Sequence, residues 1–183
     1  MTLDLKQKYI KSGERARGAL REQLAELYLK LLFHGWDVRI RRVGIGVGTS
    51  EYVPGRYRDY TDKFDFALVG ENGRTIYVEV TGSPYPKEDS VMRFGQAMIG
   101  ILPDKQREAE QAEKAGFRVY YLLVNEAEGE IAFLLPYTVA RHGKRGEWAA
   151  GEKPYILVPW QRGLFIKPYS FRRAALIQLG RWG

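Results

Sequence analysis

The segment that most restricts the fold of this chain is KFDFALVGENGRTIYVEVTG, residues 63–82. Two runs rich in β-branched and aromatic residues flank a Gly-Glu-Asn-Gly turn, the pattern of an antiparallel hairpin. Strand side chains alternate between faces. In residues 63–69, Phe64, Phe66 and Leu68 share one face, while Lys63, Asp65 and Ala67 share the other. In residues 75–81, Ile76, Val78 and Val80 oppose Thr75, Tyr77, Glu79 and Thr81. Setting the apolar faces on the same side brings Asp65 and Glu79 together on the other. Two adjacent carboxylates repel, so unless the pair faces open solvent their pKa values split or a cation sits between them. A hard divalent ion with oxygen ligands, Mg²⁺ or Mn²⁺, resolves the repulsion.

The elements around the hairpin read as an α/β arrangement. Leu20, Leu24, Leu27 and Leu31 repeat at helical spacing within residues 14–33 and form one apolar stripe, with Gly35 as the C-cap. Val38, Ile40 and Val43 mark a first strand, and residues 44–60, rich in Gly, Tyr and Arg, read as a long loop. The two prolines of GSPYPK, residues 82–87, exclude regular structure there. Asp89 is placed to cap a helix over SVMRFGQAMIGIL, and a polar helix after Pro103 stops at Gly116. FRVYYLLV and IAFLLPYTV predict strands. A Gly/Lys-rich loop at 143–153 leads to short strands in PYILVPW and LFIKPY and a last helix over SFRRAALIQLGRW. The order predicts a mixed central sheet flanked by helices, with extra C-terminal strands.

Composition removes several chemistries. The chain of 183 residues suits one domain. It has no cysteine and two histidines, His34 and His142, which excludes disulfides and thiolate chemistry and argues against a structural zinc site. VGIGVG does not satisfy the dinucleotide fingerprint and no G-x-S-x-G occurs, so neither an organic cofactor nor a serine-hydrolase triad is expected. No apolar run is long enough to span a membrane and the N-terminus lacks a signal-like core, so a cytoplasmic protein is expected. The net charge is +7, and six basic residues with no acid lie in 153–183, which leaves residues 1–152 nearly neutral. That segment also carries Tyr155, Trp160, Phe165, Tyr169, Phe171 and Trp182. Clustered cations with aromatic rings favour a polyanion partner, although each ring alone reads as core.

An acidic strand residue, a turn, then apolar-Glu-apolar in the next strand, preceded by a Glu-bearing helix, resembles the PD-(D/E)XK nuclease superfamily. Within it, the pattern is most similar to archaeal Holliday-junction-resolvase-type nucleases. The matching pieces are RGALREQLAEL, FDFALV, YVEVT and DKQREAEQAEKAGFRVYYLLV, spanning residues 14–124. The resemblance implies a restriction-endonuclease-like core over 1–152, with 153–183 as a basic extension packed on the same domain. It implies that Asp65, Glu79 and the backbone carbonyl of Val80 hold Mg²⁺ or Mn²⁺, and that the substrate is DNA, cut to a 5′-phosphate and a 3′-hydroxyl. A symmetric branched substrate would imply a homodimer.

Two positions depart from that pattern. The family's lysine, two residues after the Glu, is Thr81 here, so the charge must come from elsewhere; Lys63, Lys87 and Lys105 are the candidates, with Lys63 and Lys105 ranked first. The helix acid is either Glu22, spaced from Gly18 as in the family, or Glu26 one turn later. Arg39, Arg41, Arg42, Arg56, Arg58, Lys87, Arg172 and Arg173 are the expected contacts to a nucleic-acid backbone. The rival expectation is a non-catalytic nucleic-acid-binding module that retains the fold without the lysine.

Overall fold

The computed structural model describes residues 14–43, 64–83, 86–147, 151, 154–161 and 163–180. In chain order its first elements are α1 (Glu14–Leu32), β1 (Val38–Arg42), β2 (Phe66–Gly70), β3 (Thr75–Ser83), α2 (Lys87–Phe94) and β4 (Met98–Ile101). Then come α3 (Pro103–Lys114), β5 (Arg118–Asn125), β6 (Glu130–Leu134), α4 (Pro136–His142), β7 (Lys144–Glu147), β8 (Pro154–Pro159) and α5 (Pro168–Gln178). The expected loop at 44–60, with Arg56 and Arg58, lies outside the described residues, as does Lys63.

The hairpin forms as its alternation dictates. β2 and β3 are antiparallel, with Phe66 opposite Val78 and Leu68 opposite Ile76. Asn72 accepts the Arg74 N–H at 3.1 Å across the turn, and Gly73 takes the positive φ of +77° that the turn requires. Around this hairpin a mixed sheet runs in the order β1-β2-β3-β5-β6, and a second, antiparallel sheet runs β4-β8-β7. β3 and β5 are parallel, joined by a crossover through α2, β4 and α3. One face of the large sheet (Phe66, Leu68, Ile76, Val78, Val80, Leu122) packs under α1 and α5. The other (Ala67, Tyr77, Val119, Tyr121, Leu123) packs under α3, where Ala109 and Ala112 let the helix lie close. The fold is therefore a mixed sheet between helices, as expected.

Several local expectations are corrected. The Leu24, Leu27 and Leu31 stripe of α1 points outward, with Leu31 65 % exposed. The neighbouring row of Ala25, Leu29 and Leu32 is buried instead, because the small Ala25 lets the helix approach the sheet. Phe64 joins Ala67 and Tyr77 rather than Phe66, since the chain bends at Phe64–Asp65 before strand alternation begins. Asp89 is not a cap: Pro86 holds that position, and Gly95, at φ +74°, ends α2 after Phe94. The MIGI run then pairs with β8 as a strand rather than continuing the helix. β6 ends at Leu134, where Pro136 opens α4 instead of prolonging a strand. Lys144–Glu147, expected in a loop, is an edge strand on β8. LFIKPY contributes only an isolated bridge, Ile166 with Phe133.

Candidate active site

Continuing the β2–β3 register by one residue beyond Phe66–Val78 sets Asp65 opposite Glu79. At that point the ladder gives way to a side-chain bond: Asp65 Oδ2 accepts the backbone N–H of Val80 at 2.7 Å. The Asp65 carbonyl accepts from the Val43 N–H at 3.2 Å, which ties the bend to the end of β1. Glu79 is buried on the α3 face of β3, directly across from Tyr121 of β5. Lys105, in the first turn of α3, forms an ion pair with Glu79 Oε1 and donates to the Val80 carbonyl at 3.2 Å. Two strands and a crossover helix thus bring together two carboxylates, a main-chain carbonyl and one ammonium.

The electrostatics follow from that inventory. Burial and then the charge of Asp65 push the Glu79 carboxyl up to about 8, against the pull of Lys105. Burial alone would push Lys105 down, but the charges of Glu79 and Asp65 outweigh it and hold the ammonium above its ordinary range. With both acids ionised, two carboxylates would face one ammonium, and their repulsion adds to burial in raising Glu79. Glu79 Oε2 is also buried with no hydrogen-bond partner. A buried, unpartnered carboxylate oxygen beside a second carboxylate and a peptide carbonyl is an all-oxygen donor set suited to a hard divalent cation. Among the described residues no three His, Cys, Asp or Glu side chains cluster, so a cation here would have two carboxylates and a carbonyl as its protein donors.

The other predicted residues fall into distinct places. Glu22 is buried on the sheet-facing flank of α1, with Arg42 Nη1 3.9 Å from its Oε2. Glu26 accepts from Lys30 at 2.8 Å and from Arg42 Nε at 2.6 Å, which lowers its pKa through Lys30 first. Thr81 is buried on the Glu79 face of β3. Lys87 is held by Glu130, by Glu128 at 3.6 Å and over the Trp160 ring at 4.7 Å. Arg39 and Arg41 are exposed, opposite Val69 and Ala67, and so lie on the face of the sheet that carries Glu79. Arg42, one residue on, turns to the α1 side and lies over the Phe66 ring. Arg172 is committed to the Leu32 carbonyl at 3.3 Å and stacks on Tyr169, while Arg173 is exposed.

Three residues near the cluster were missed. Arg21 pairs with Glu126 and acts electrostatically on Lys105. It shares the buried helical row with Ala25, Leu29 and Leu32, a spacing visible in the sequence but masked by the leucine stripe. Gln106 and Tyr121, hydrogen bonded beside Lys105 and Glu79, carried no sequence signal beyond their positions.

Residues 5–162 match the model of the viral/archaeal nuclease family. The chain belongs to that family. A 116-residue stretch is 29% identical to uncharacterized protein D-244 of Sulfolobus spindle-shape virus 1, covering 61% of this chain. The chain spans about half, 47%, of that relative's length. The fold is similar to that of D212, a nuclease from a fusselovirus, at a TM-score of 0.57 and 18% identity over 91% of this chain and 96% of the other. This member of the viral/archaeal nuclease family contains no helix, among the described residues, long and apolar enough to cross a membrane.

Proposed function

We propose that this chain is a metal-dependent DNA endonuclease of the PD-(D/E)XK type, with Asp65, Glu79 and the Val80 carbonyl as ligands of Mg²⁺ or Mn²⁺. The observation that carries the reading is the joint contact of Lys105 with Glu79 and Val80, which supplies the cation that the family pattern places two residues after the Glu, where this chain has Thr81. Family membership and the likeness to a fusselovirus nuclease support the reaction class. When bound, the ion supplies Lewis-acid polarisation of the scissile phosphate and lowers the pKa of an attacking water.

The chain's own residues do the rest. Asp65 and Glu79 hold the ion, and the Val80 N–H fixes Asp65. The Lys105 ammonium is a fixed positive charge and hydrogen-bond donor, placed to stabilise charge that develops on the phosphate oxygens. Glu22, on the buried flank of α1, pairs with Arg42 on the α1 side of the sheet and is not brought to the Asp65–Glu79 pair. Arg39 and Arg41, exposed on the face that carries Glu79, receive the phosphate backbone of the substrate. Branched DNA, cut by a homodimer, is the substrate form that the resemblance to junction resolvases favours.

The test is cleavage of duplex, single-stranded and four-way-junction DNA with Mg²⁺ or Mn²⁺, with Asp65→Asn and Glu79→Gln as controls. Metal-dependent cutting lost in both variants supports the enzyme. Salt-sensitive binding with no cutting would return the chain to the class of non-catalytic nucleic-acid-binding modules.

A further inference from the structure

Lys105 stands in the first turn of α3, and no side chain caps that helix at Leu102. An uncapped first turn is the part of a helix most prone to fray. Pro103 at N1 presets the helical φ but adds no side-chain cap, and the buried Ala109 and Ala112 pack the later turns against the sheet. The next residue after Lys105, Gln106, is buried and fully engaged. Its Nε2 donates to Glu110 Oε1 at 2.7 Å and to the Pro136 carbonyl at 2.9 Å. Its Oε1 accepts the Tyr121 hydroxyl at 2.9 Å. The amide cannot be turned over, because its oxygen would then face a carboxylate and a carbonyl, neither of which donates. Tyr121 must therefore be the donor. Tyr121 is fully buried and is the direct register partner of Glu79. One hydrogen bond thus joins the strand residue beside Glu79 to the helix residue beside Lys105.

We infer that Tyr121 and Gln106 are positioning residues that fix the first turn of α3, and with it the Lys105 ammonium, against Glu79 and Val80. The inference rests on the nuclease reading for its consequence but not for its geometry. Neither side chain touches the substrate. They act through Lys105, whose long flexible stem needs an anchored base to deliver its charge to one place.

The full chain carrying Tyr121→Phe, which removes the hydroxyl and almost no volume, tests this. Lysine acetylation by acetic anhydride, read peptide by peptide, is expected to run about five-fold faster at Lys105, the worth of one net hydrogen bond. Labelling of Lys114, at the far end of the same helix, is expected to stay unchanged. On DNA, kcat is expected to fall about ten-fold with KM unchanged, as for a group that serves the transition state alone. Gln106→Leu is expected to act in the same direction and decides the matter if Tyr121→Phe does not fold. Unchanged Lys105 labelling overturns the inference, and so does an equal rise at Lys114, which would mean general loosening of α3. Selective labelling at Lys105 in a chain whose wild type cuts no DNA would uphold the positioning pair and sink the nuclease reading.

Discussion

Lys105 donates to the carbonyl oxygen of Val80 at 3.2 Å, across the gap between a crossover helix and the strand it crosses. The same ammonium pairs with Glu79, the residue before Val80. A lysine carried on β3 itself would reach this acid from two residues along the strand. Here the charge arrives from the opposite layer, and position 81 is left to a threonine.

Replacing Lys105 with Gln is expected to lower cleavage by about 10²–10³-fold, the scale for removing one preorganised donor to a charged transition state. Adding Thr81→Lys to that variant is expected to recover part of the loss by returning the ammonium to β3. Single-turnover cleavage of a labelled duplex measures both. An undiminished rate in Lys105→Gln would remove Lys105 from the mechanism.

Glu79 gives a pH prediction with a definite sign. Its folded-state value, about 8, lies above the ordinary 4.5. The stability tied to its proton is therefore fully present below about pH 4.5 and is lost as pH rises through about 8. The thermal midpoint of the metal-free chain should fall across this window, and Glu79→Gln should flatten the fall. Mg²⁺ needs the ionised carboxylate, so it should raise the midpoint more at pH 8.5 than at pH 6. Equal Mg²⁺ effects at both values would count against Glu79 as a ligand.

The acid pair was legible in the sequence because a hairpin is local: alternation and a Gly-Glu-Asn-Gly turn suffice to set Asp65 beside Glu79. The contact of Lys105 with Glu79 was legible only as one of three candidates, because its delivery depends on a crossover whose packing no local pattern records. The outward turn of Leu24, Leu27 and Leu31 was illegible for a related reason. Two apolar rows compete on α1, and the choice falls to the sheet, which accepts the row containing the small Ala25. MIGI and KRGE are too short for periodicity to separate strand from helix or loop; pairing with β8 makes both of them strands.

Gly82 is a second constraint on the site, through sterics alone. A Cβ there would lie 1.9 Å from the Val124 carbonyl oxygen and 3.1 Å from Arg21 Nε. Gly82→Ala must push β3 and β5 apart two residues beyond Val80. A loss of about 3 kcal/mol is expected, at the upper end for overpacking, and urea unfolding reads it. A midpoint shift near zero would mean that the strands separate at little cost.

Arg39 and Arg41 should behave unlike Arg42. Both are exposed, so Arg39→Gln with Arg41→Gln should leave the thermal midpoint unchanged. The same pair should lower the slope of log binding constant against log salt by about 1.8, or 0.9 per lost phosphate contact. Arg42→Gln, which strips charge partners from Glu22 and Glu26, should instead lower stability with little change in that slope. Fluorescence anisotropy across a salt series separates the two outcomes.

Because Lys105 lies inside the connection between β3 and β5, it reaches Glu79 only when a long loop closes, whereas Asp65 and Glu79 meet across a tight turn. The longer closure costs more chain entropy and comes later. During assembly the two acids are therefore expected to meet before their ammonium arrives. Low pH or a divalent ion relieves that repulsion at its worst moment, so the refolding rate of this chain, and not only its final stability, should rise with either.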